Sequence, residues 1–177
     1  MELLESMKKR RSVRKFQEKE VSNEIIQRVV EAAVYAPSWK NTQVTRYYAV
    51  VDQGKKQELM NAMPDFNQPA VQSAPVVFVV TALKKRSGYN REGSSETLKG
   101  NGWQMYDCAL SNMLLCLEAT EQGLGTVIMG YFDEDMIRQI VEIPETEEIN
   151  AVIAMGYPDE MPEMPKRKGT DIILKIV

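Results

Sequence analysis

Hydrophobic and polar positions along the chain change between helical and strand spacing several times. Apolar residues three and four apart predict helices over 2–9, 22–36, 55–63, 103–121 and 133–141. Short apolar runs between turn residues predict strands over 47–51, 74–80, 126–129 and 150–155. Residues 172–177 are expected to form a terminal strand or arm. This mixed order predicts a three-layer α/β or α+β domain in which helices cover a sheet.

The predicted helix 103–121 is apolar around most of its circumference. A helix of that kind must be buried, either through the centre of the domain or in a subunit interface. Gly123 suits the left-handed position that ends such a helix.

Two segments differ in composition from the rest of the chain. Residues 84–102 mix glycines with charged and hydroxyl residues, which predicts a mobile loop, either a lid or a simple excursion. Residues 158–177 form a Pro- and Met-rich link that leads to Lys166, Arg167 and Lys168 and then to an arm. The 177 residues otherwise suit a single domain, 1–177.

Composition and charge exclude several classes of function. The chain is 44% hydrophobic and 27% charged, with a net charge of −3, so a nucleic-acid partner is not expected. No apolar run spans a bilayer and no secretion signal is visible, so we expect a cytoplasmic protein with no membrane partner.

The residue types needed for side-chain catalysis or metal binding are scarce. The chain has no histidine, and its two cysteines, Cys108 and Cys116, lie eight apart in a helical run. This removes Ser-His and Cys-His pairs and histidine metal sites, and we expect both thiols to be buried and no metal to be bound. If the chain is an enzyme, a bound cofactor should carry the chemistry.

A basic stretch near the N-terminus is the main candidate for binding. If it is extended, Arg10, Ser12 and Arg14 share one face, where two guanidiniums and a hydroxyl can hold phosphate or carboxylate. The alternative is a solvated basic face, which remains the interpretation for Arg11 and Lys15 on the other side. No glycine-rich phosphate loop is present, so side chains would have to hold a phosphate.

The loop over residues 36–43 is the second candidate. It carries Pro37, Ser38, Trp39, Asn41 and other polar side chains whose amides and hydroxyls can bind the polar edge of a flat heteroaromatic ring. The alternative is a helix-to-strand connector whose polar groups satisfy only the local backbone.

Five segments in this order resemble the nitroreductase family of FMN-dependent oxidoreductases. They are the basic stretch 10–16, the loop 36–43, Ala74-Pro75 before an apolar strand, the helix ending in Gly123-Leu124-Gly125, and the basic cluster 166–168. The resemblance implies an α+β, three-layer α/β/α sandwich with a mixed, mainly antiparallel sheet around a buried central helix. It also implies an obligate homodimer with FMN bound at the subunit interface.

The resemblance also assigns roles to individual residues. Arg10, Ser12 and Arg14 would hold the FMN phosphate and the N1/O2 edge, helped by Lys166, Arg167 or Lys168, with Arg11 beside them. Pro37, Ser38 and Asn41 would come from the partner subunit and Asn67 from the same chain, and Trp39 is a further cofactor-binding candidate. Met129 and Gly130 would lie beside flavin N5, where a backbone amide can donate a hydrogen bond. Val44-Thr45 and Met129 depart from common family residues.

The implied activity needs no obligatory catalytic side chain. Hydride would pass from NADH or NADPH to flavin N5, and then by a ping-pong mechanism to a small-molecule electron acceptor such as a nitroaromatic or a quinone. The alternative is a flavin-binding relative without this activity, which would be dehalogenase-like, flavin-fragmenting, or used in FMN storage or sensing.

Overall fold

The fold is an α+β sandwich, seen in a computed structural model that describes residues 2–177. The helices are α1 (Leu3–Lys9), α2 (Asn23–Val34), α3 (Gln53–Asn61), α4 (Gln68–Ser73), α5 (Gly102–Glu121), α6 (Glu134–Val141) and α7 (Thr170–Ile173). The strands are β1 (Thr45–Val50), β2 (Val76–Leu83), β3 (Gly125–Met129) and β4 (Glu147–Gly156), and a 3-10 turn covers Trp39–Asn41.

The four strands form one sheet in the order β1-β2-β4-β3, and every neighbouring pair is antiparallel. Phe78 of β2 pairs with Ala49 of β1 on one side and with Ile153 of β4 on the other. The two central strands are the most apolar because helices cover both of their faces. One parallel bridge, between Ser12 and Thr126, adds the N-terminal stretch to the edge at β3. The predicted mainly antiparallel sheet is confirmed.

Alternate side chains of the sheet enter two separate hydrophobic cores. On one face Val77 and Val79 of β2 belong to a core with residues of α3, α4 and α6. On the other face Phe78 and Val80 belong to a core with residues of α2 and α5. Each fully buried side chain of this size contributes about 1.5–3 kcal/mol. Two cores on opposite faces give the three layers predicted from the sequence.

Side-chain caps begin three of the helices. Ser22 accepts a hydrogen bond from the N–H of Ile25, as the sequence predicts. Asp133 accepts one from Met136, also as predicted, and Asp52 caps α3 in the same way. Helix α2 ends at Val34, before Pro37, which agrees with the expected effect of a proline on the residue before it.

Helix α5 is buried on one side in the single chain, and its predicted burial all round, in the domain centre or in a subunit interface, stays a prediction. Its inner side carries Cys108 and Leu115 against the sheet, and it also buries polar residues such as Asp107. Its outer side exposes Met105, Tyr106 and Met113, at 52%, 57% and 39%. In the single chain α5 lies on one face of the sheet, with an apolar outer side open.

Three segments differ from, or add to, the predicted elements. Helix α4 was not anticipated because its six residues are too few to show a helical period. Residues 172–177 form no strand in the described chain, since α7 and an exposed arm occupy this region. Residues 84–102 form turns joined by hydrogen bonds, such as the Glu96 N–H to Gly88 O bond of 2.9 Å. The predicted mobility of this loop stays a prediction.

No helix within residues 2–177 is long and apolar enough to cross a membrane.

Candidate functional site

The N-terminal basic stretch is extended and anchored along the edge of the sheet. Val13 and Phe16 are buried, and the Val13 N–H donates to the Thr126 carbonyl at 3.0 Å. The approach is close, because a Cβ added at Gly125 would lie 2.6 Å from Val13 Cγ2. Glycine at this position therefore lets the stretch pack against β3, and the extended conformation on which the predicted anion site depended is present.

Arg10 and Ser12 line one cavity of about 320 Å³, as their predicted common face implies. Arg167 from the C-terminal cluster lines the same cavity, although 157 residues separate it from Arg10 along the chain. The remaining walls are formed by Met7, Met113, Cys116, Thr126 and Ile128. The structure thus brings two guanidiniums and a hydroxyl together beside an apolar wall.

The C-terminal link reaches this cavity because it runs beside the N-terminal stretch. Phe16 forms an antiparallel bridge with Pro158, and the Asp159 N–H donates to the Lys15 carbonyl at 2.9 Å. Lys15 and Asp159 also form an ion pair of 3.0 Å. The two basic clusters predicted from opposite ends of the sequence therefore meet in space.

Within these clusters, not every predicted residue lines the cavity. Arg14 is exposed and its Nη1 donates to the Ser12 carbonyl at 3.2 Å, so it lies beside the cavity and not among its lining residues. Arg11 donates to the carbonyls of Lys8 and Arg10, at 2.6 and 2.9 Å, at the end of α1. Lys166 and Lys168 are exposed and absent from the lining.

The loop 36–43 takes up an uncommon backbone conformation. Lys40, Asn41 and Gln43 have φ angles of 45°, 56° and 47°, in the left-handed region that favours glycine. The Ser38 hydroxyl accepts a hydrogen bond from the Gln43 N–H at 3.0 Å. The Trp39 N–H donates to both carboxylate oxygens of Asp107, at 3.1 and 3.2 Å.

The single chain does not bring this loop to the basic cavity. None of Pro37, Ser38, Trp39 and Asn41 lines the cavity around Arg10. Ser38 instead lines a separate cleft of about 250 Å³ between α2, β1 and α5. The polar loop and the basic cavity are two separate parts of one chain.

Met129 ends β3 next to the cavity and Gly130 follows it, and the two residues differ in accessibility. Neighbouring Ile128 lines the cavity, while the Met129 side chain lies in the core on the opposite face of the sheet. Only the backbone of Met129 is therefore available to a ligand on the cavity side. A Cβ added at Gly130 would meet no atom within 4 Å, so the backbone there is open.

Asn67 is buried at the start of α4 beside an exposed aromatic residue, Phe66. The Phe66 ring stacks on Tyr131, with centroids 6.2 Å apart, and the rings are 69% and 70% exposed. Asn67 and Gly130 each adjoin one member of this pair, so the fold brings their surroundings together.

The sequence reasoning missed several residues of the site. Met113 and Cys116, three apart on α5, and Ile128, two residues after Thr126, could have been found from helical and strand periods. Phe66, Tyr131 and Asp107 carry no comparable signal, because their roles depend on contacts between distant segments.

The thiol beside the cavity is not an activated nucleophile. Burial raises the pKa of Cys116, and the hydrogen bond with Thr126 and the charge of Arg10 offset this only in part. The neutral thiol therefore has little nucleophilic character at neutral pH. Within residues 2–177 there is no cluster of three His, Cys, Asp or Glu residues able to hold a metal ion.

The donor set of the cavity matches a phosphate monoester joined to an apolar ring system. Guanidinium forks from Arg10 and Arg167 pair with phosphate oxygens, and Ser12 supplies a further donor. Met113 and Ile128 offer apolar atoms to the rest of such a ligand. The residues present therefore fit the phosphate end of a flavin mononucleotide.

A model of the nitroreductase family matches residues 7–157. The chain belongs to the nitroreductase family. It is 33% identical over 178 residues to the NADH dehydrogenase of Thermus thermophilus, which covers 86% of this chain and 84% of that protein. This agrees with the family resemblance drawn from five sequence segments.

Solved nitroreductase-family structures share the fold over nearly the whole chain. One from Streptococcus pneumoniae has a TM-score of 0.88 and 25% identity, and it covers 99% of this chain and 100% of that one. An FMN-dependent nitroreductase from Clostridium difficile has a TM-score of 0.76 and 25% identity, with coverage of 95% and 93%.

Proposed function

We propose that this chain is an FMN-dependent oxidoreductase that takes hydride from NADH or NADPH and delivers it to a small-molecule acceptor, such as a nitroaromatic or a quinone. That it is an oxidoreductase follows from its family. The observation that carries the cofactor is the meeting of Arg10, Ser12 and Arg167 around one cavity. A solved family member named as FMN-dependent, with 25% identity, supports it.

Arg10, Ser12 and Arg167 would hold the phosphate, since paired guanidiniums and a hydroxyl match its oxygens. Arg14 lies just outside the cavity, next to Ser12, and can supply positive charge at the polar edge of the ring. When bound, FMN supplies the hydride-accepting N5 that no side chain in this chain can replace. The open backbone at Gly130 would donate a hydrogen bond towards that atom.

A homodimer would complete the site. The loop with Ser38 and Asn41 does not reach the cavity of its own chain, so a second copy would have to supply it. The apolar outer side of α5, with Met105, Tyr106 and Met113, and the exposed residues of α1 and the arm offer the surface for association. A second copy over this surface would bury α5 on both sides, and so make it the central helix that the sequence predicts.

Substrate proton transfer would not depend on a titrating side chain at the cavity. The only thiol there, Cys116, stays protonated because burial raises its pKa. The residues around the cavity bind and orient, and donor and acceptor would then use the same open side of the ring in turn, which predicts ping-pong kinetics.

The test is an absorption spectrum of the purified protein after incubation with FMN and removal of free flavin. We expect a flavin spectrum that NADH or NADPH bleaches anaerobically and that a quinone or nitroaromatic restores. A protein that takes up no FMN contradicts the proposal. Uptake without bleaching by either nicotinamide would instead favour a flavin-binding relative with a different activity, such as dehalogenation, flavin fragmentation or FMN storage.

A further inference from the structure

The junction between the loop 36–43 and the start of α5 gathers unsatisfied polar atoms. Six buried side-chain polar atoms within residues 2–177 have no hydrogen-bond partner. Four of them lie at this junction, namely Trp39 Nε1, Thr42 Oγ1, Trp103 Nε1 and Gln104 Oε1. Folded proteins leave few buried polar groups without a hydrogen-bond partner. Hydrogen bonds within this junction therefore do not by themselves explain its structure.

The backbone of the loop is strained at the same place. Lys40, Asn41 and Gln43 all adopt the left-handed conformation, which costs free energy for any residue with a Cβ. A loop with three such residues holds its shape only if its surroundings enforce it.

Two residues of α5, four apart and therefore on one side of the helix, hold Trp39 at two points. The Trp103 ring packs on the Trp39 ring, with centroids 4.8 Å apart and planes at 51°. The Asp107 carboxylate accepts the Trp39 N–H with both oxygens. The ring and the amide of one loop residue are thus fixed by one helix.

Asp107 lowers the stability of the folded chain, because its carboxylate is buried. It is 2% exposed, and its hydrogen bonds and ion pairs within residues 2–177 comprise only those from the Trp39 N–H. A buried carboxylate with a single donor loses more hydration than the bond returns. We therefore infer that Asp107 acts on the conformation of the loop 36–43 and does not stabilise the fold.

We propose that Asp107 is a positioning residue, which fixes the left-handed turn of the loop 36–43 so that Ser38 and Asn41 face FMN bound by a second copy. This inference rests on the proposed function. Asp107 itself does not line the basic cavity and would act only through Trp39.

The experiment compares Asp107→Ala and Asp107→Asn with a matched control, Asn112→Ala. Asn112 is a buried polar residue of the same helix, and it accepts a hydrogen bond from Tyr47 and none from the loop. FMN affinity is measured by quenching of flavin fluorescence. Hydrogen exchange of the amides over 39–43 is measured in the flavin-free protein.

We expect Asp107→Ala to weaken FMN binding about tenfold and to speed exchange over 39–43, because the Trp39 N–H loses its acceptor. Asp107→Asn keeps an acceptor oxygen and should weaken binding by no more than about threefold. The control should lower the melting temperature but keep FMN affinity within about twofold of the wild type and leave the loop amides protected.

Equal FMN affinities for Asp107→Ala and Asn112→Ala would overturn the inference. If Asp107→Ala fails to fold, Asp107→Glu is used in its place. Its added methylene displaces the carboxylate, so we still expect weaker FMN binding. A folded Asp107→Glu protein with wild-type FMN affinity and wild-type exchange over 39–43 would also overturn the inference. A wild-type protein that binds no FMN contradicts the proposed function. The exchange comparison then still decides whether Asp107 holds the loop.

Discussion

At the scale of single residues, three adjacent basic side chains near the C-terminus differ in whether they line the basic cavity. Lys166, Arg167 and Lys168 are all exposed, but only Arg167 lines the cavity. We expect Arg167→Ala to weaken FMN binding about tenfold or more, because a charge-assisted bond to phosphate contributes about 1.5–3 kcal/mol. Lys168→Ala should change it by less than about twofold. Titration of FMN fluorescence checks both, and equal losses would show that the cluster acts only through its summed charge.

The buried thiol of Cys108 makes the free energy of unfolding depend on pH in the alkaline range. Burial raises its pKa to about 11 from the ordinary value of 9.0. The folded thiol stays neutral while the unfolded one ionises, so stability present below pH 9 is lost as the pH rises towards 11. The loss is on the order of 2 kcal/mol. Urea unfolding at pH 8 and 10.5 should show a smaller decrease for Cys108→Ala, and an unchanged decrease would contradict this assignment.

At the scale of elements, the close packing of β3 on the N-terminal stretch holds Arg10 and Ser12 in place. Gly125→Ala would put a Cβ 2.6 Å from Val13 Cγ2, and we expect it to destabilise the fold by about 1–3 kcal/mol. Val13→Ala should recover only part of this loss in the double variant, because it removes the two methyl groups but leaves the Cβ of residue 13 about 2.7 Å from the new Cβ. Gly130→Ala, which meets no neighbour, is the control for stability. Urea unfolding of all four variants measures the coupling, and purely additive changes would contradict it.

An element could be predicted from the sequence where residues close together in the chain determine it. The caps at Ser22 and Asp133 and the end of α2 before Pro37 follow from neighbouring residues, and all three were predicted. The alternating face of Arg10 and Ser12 was predicted for the same reason. Helix α4 shows too few apolar positions.

The contacts of the site that sequence could not supply join distant segments. Asp107 meets Trp39 across 68 residues, and Phe66 meets Tyr131. The register of β3 turns the Met129 side chain into the other core and leaves its backbone on the cavity side, so the predicted role of a backbone amide there beside flavin N5 stays a prediction.

At the scale of the whole molecule, the arm after the basic cluster exposes more apolar surface than a separate chain needs. Ile172, Ile173, Leu174 and Ile176 are 59–91% exposed. In a homodimer they would lie against the second copy, and such a surface favours association because it is removed from water. A chain that ends at Gly169 keeps Arg167 but loses these residues. We expect the full chain to sediment as a dimer. The dimer of the shortened chain should dissociate at a protein concentration at least about tenfold higher than that at which the full-length dimer dissociates.

The shortened chain also separates the two halves of the proposed site. Its monomer keeps Arg10, Ser12 and Arg167 around the cavity, but it lacks a partner loop with Ser38 and Asn41. FMN affinity should therefore rise with protein concentration, in parallel with the dimer fraction, because dimerisation and binding are linked. An affinity that does not change across the dissociation range would show that one chain holds the cofactor alone. The loop 36–43 would then have another role.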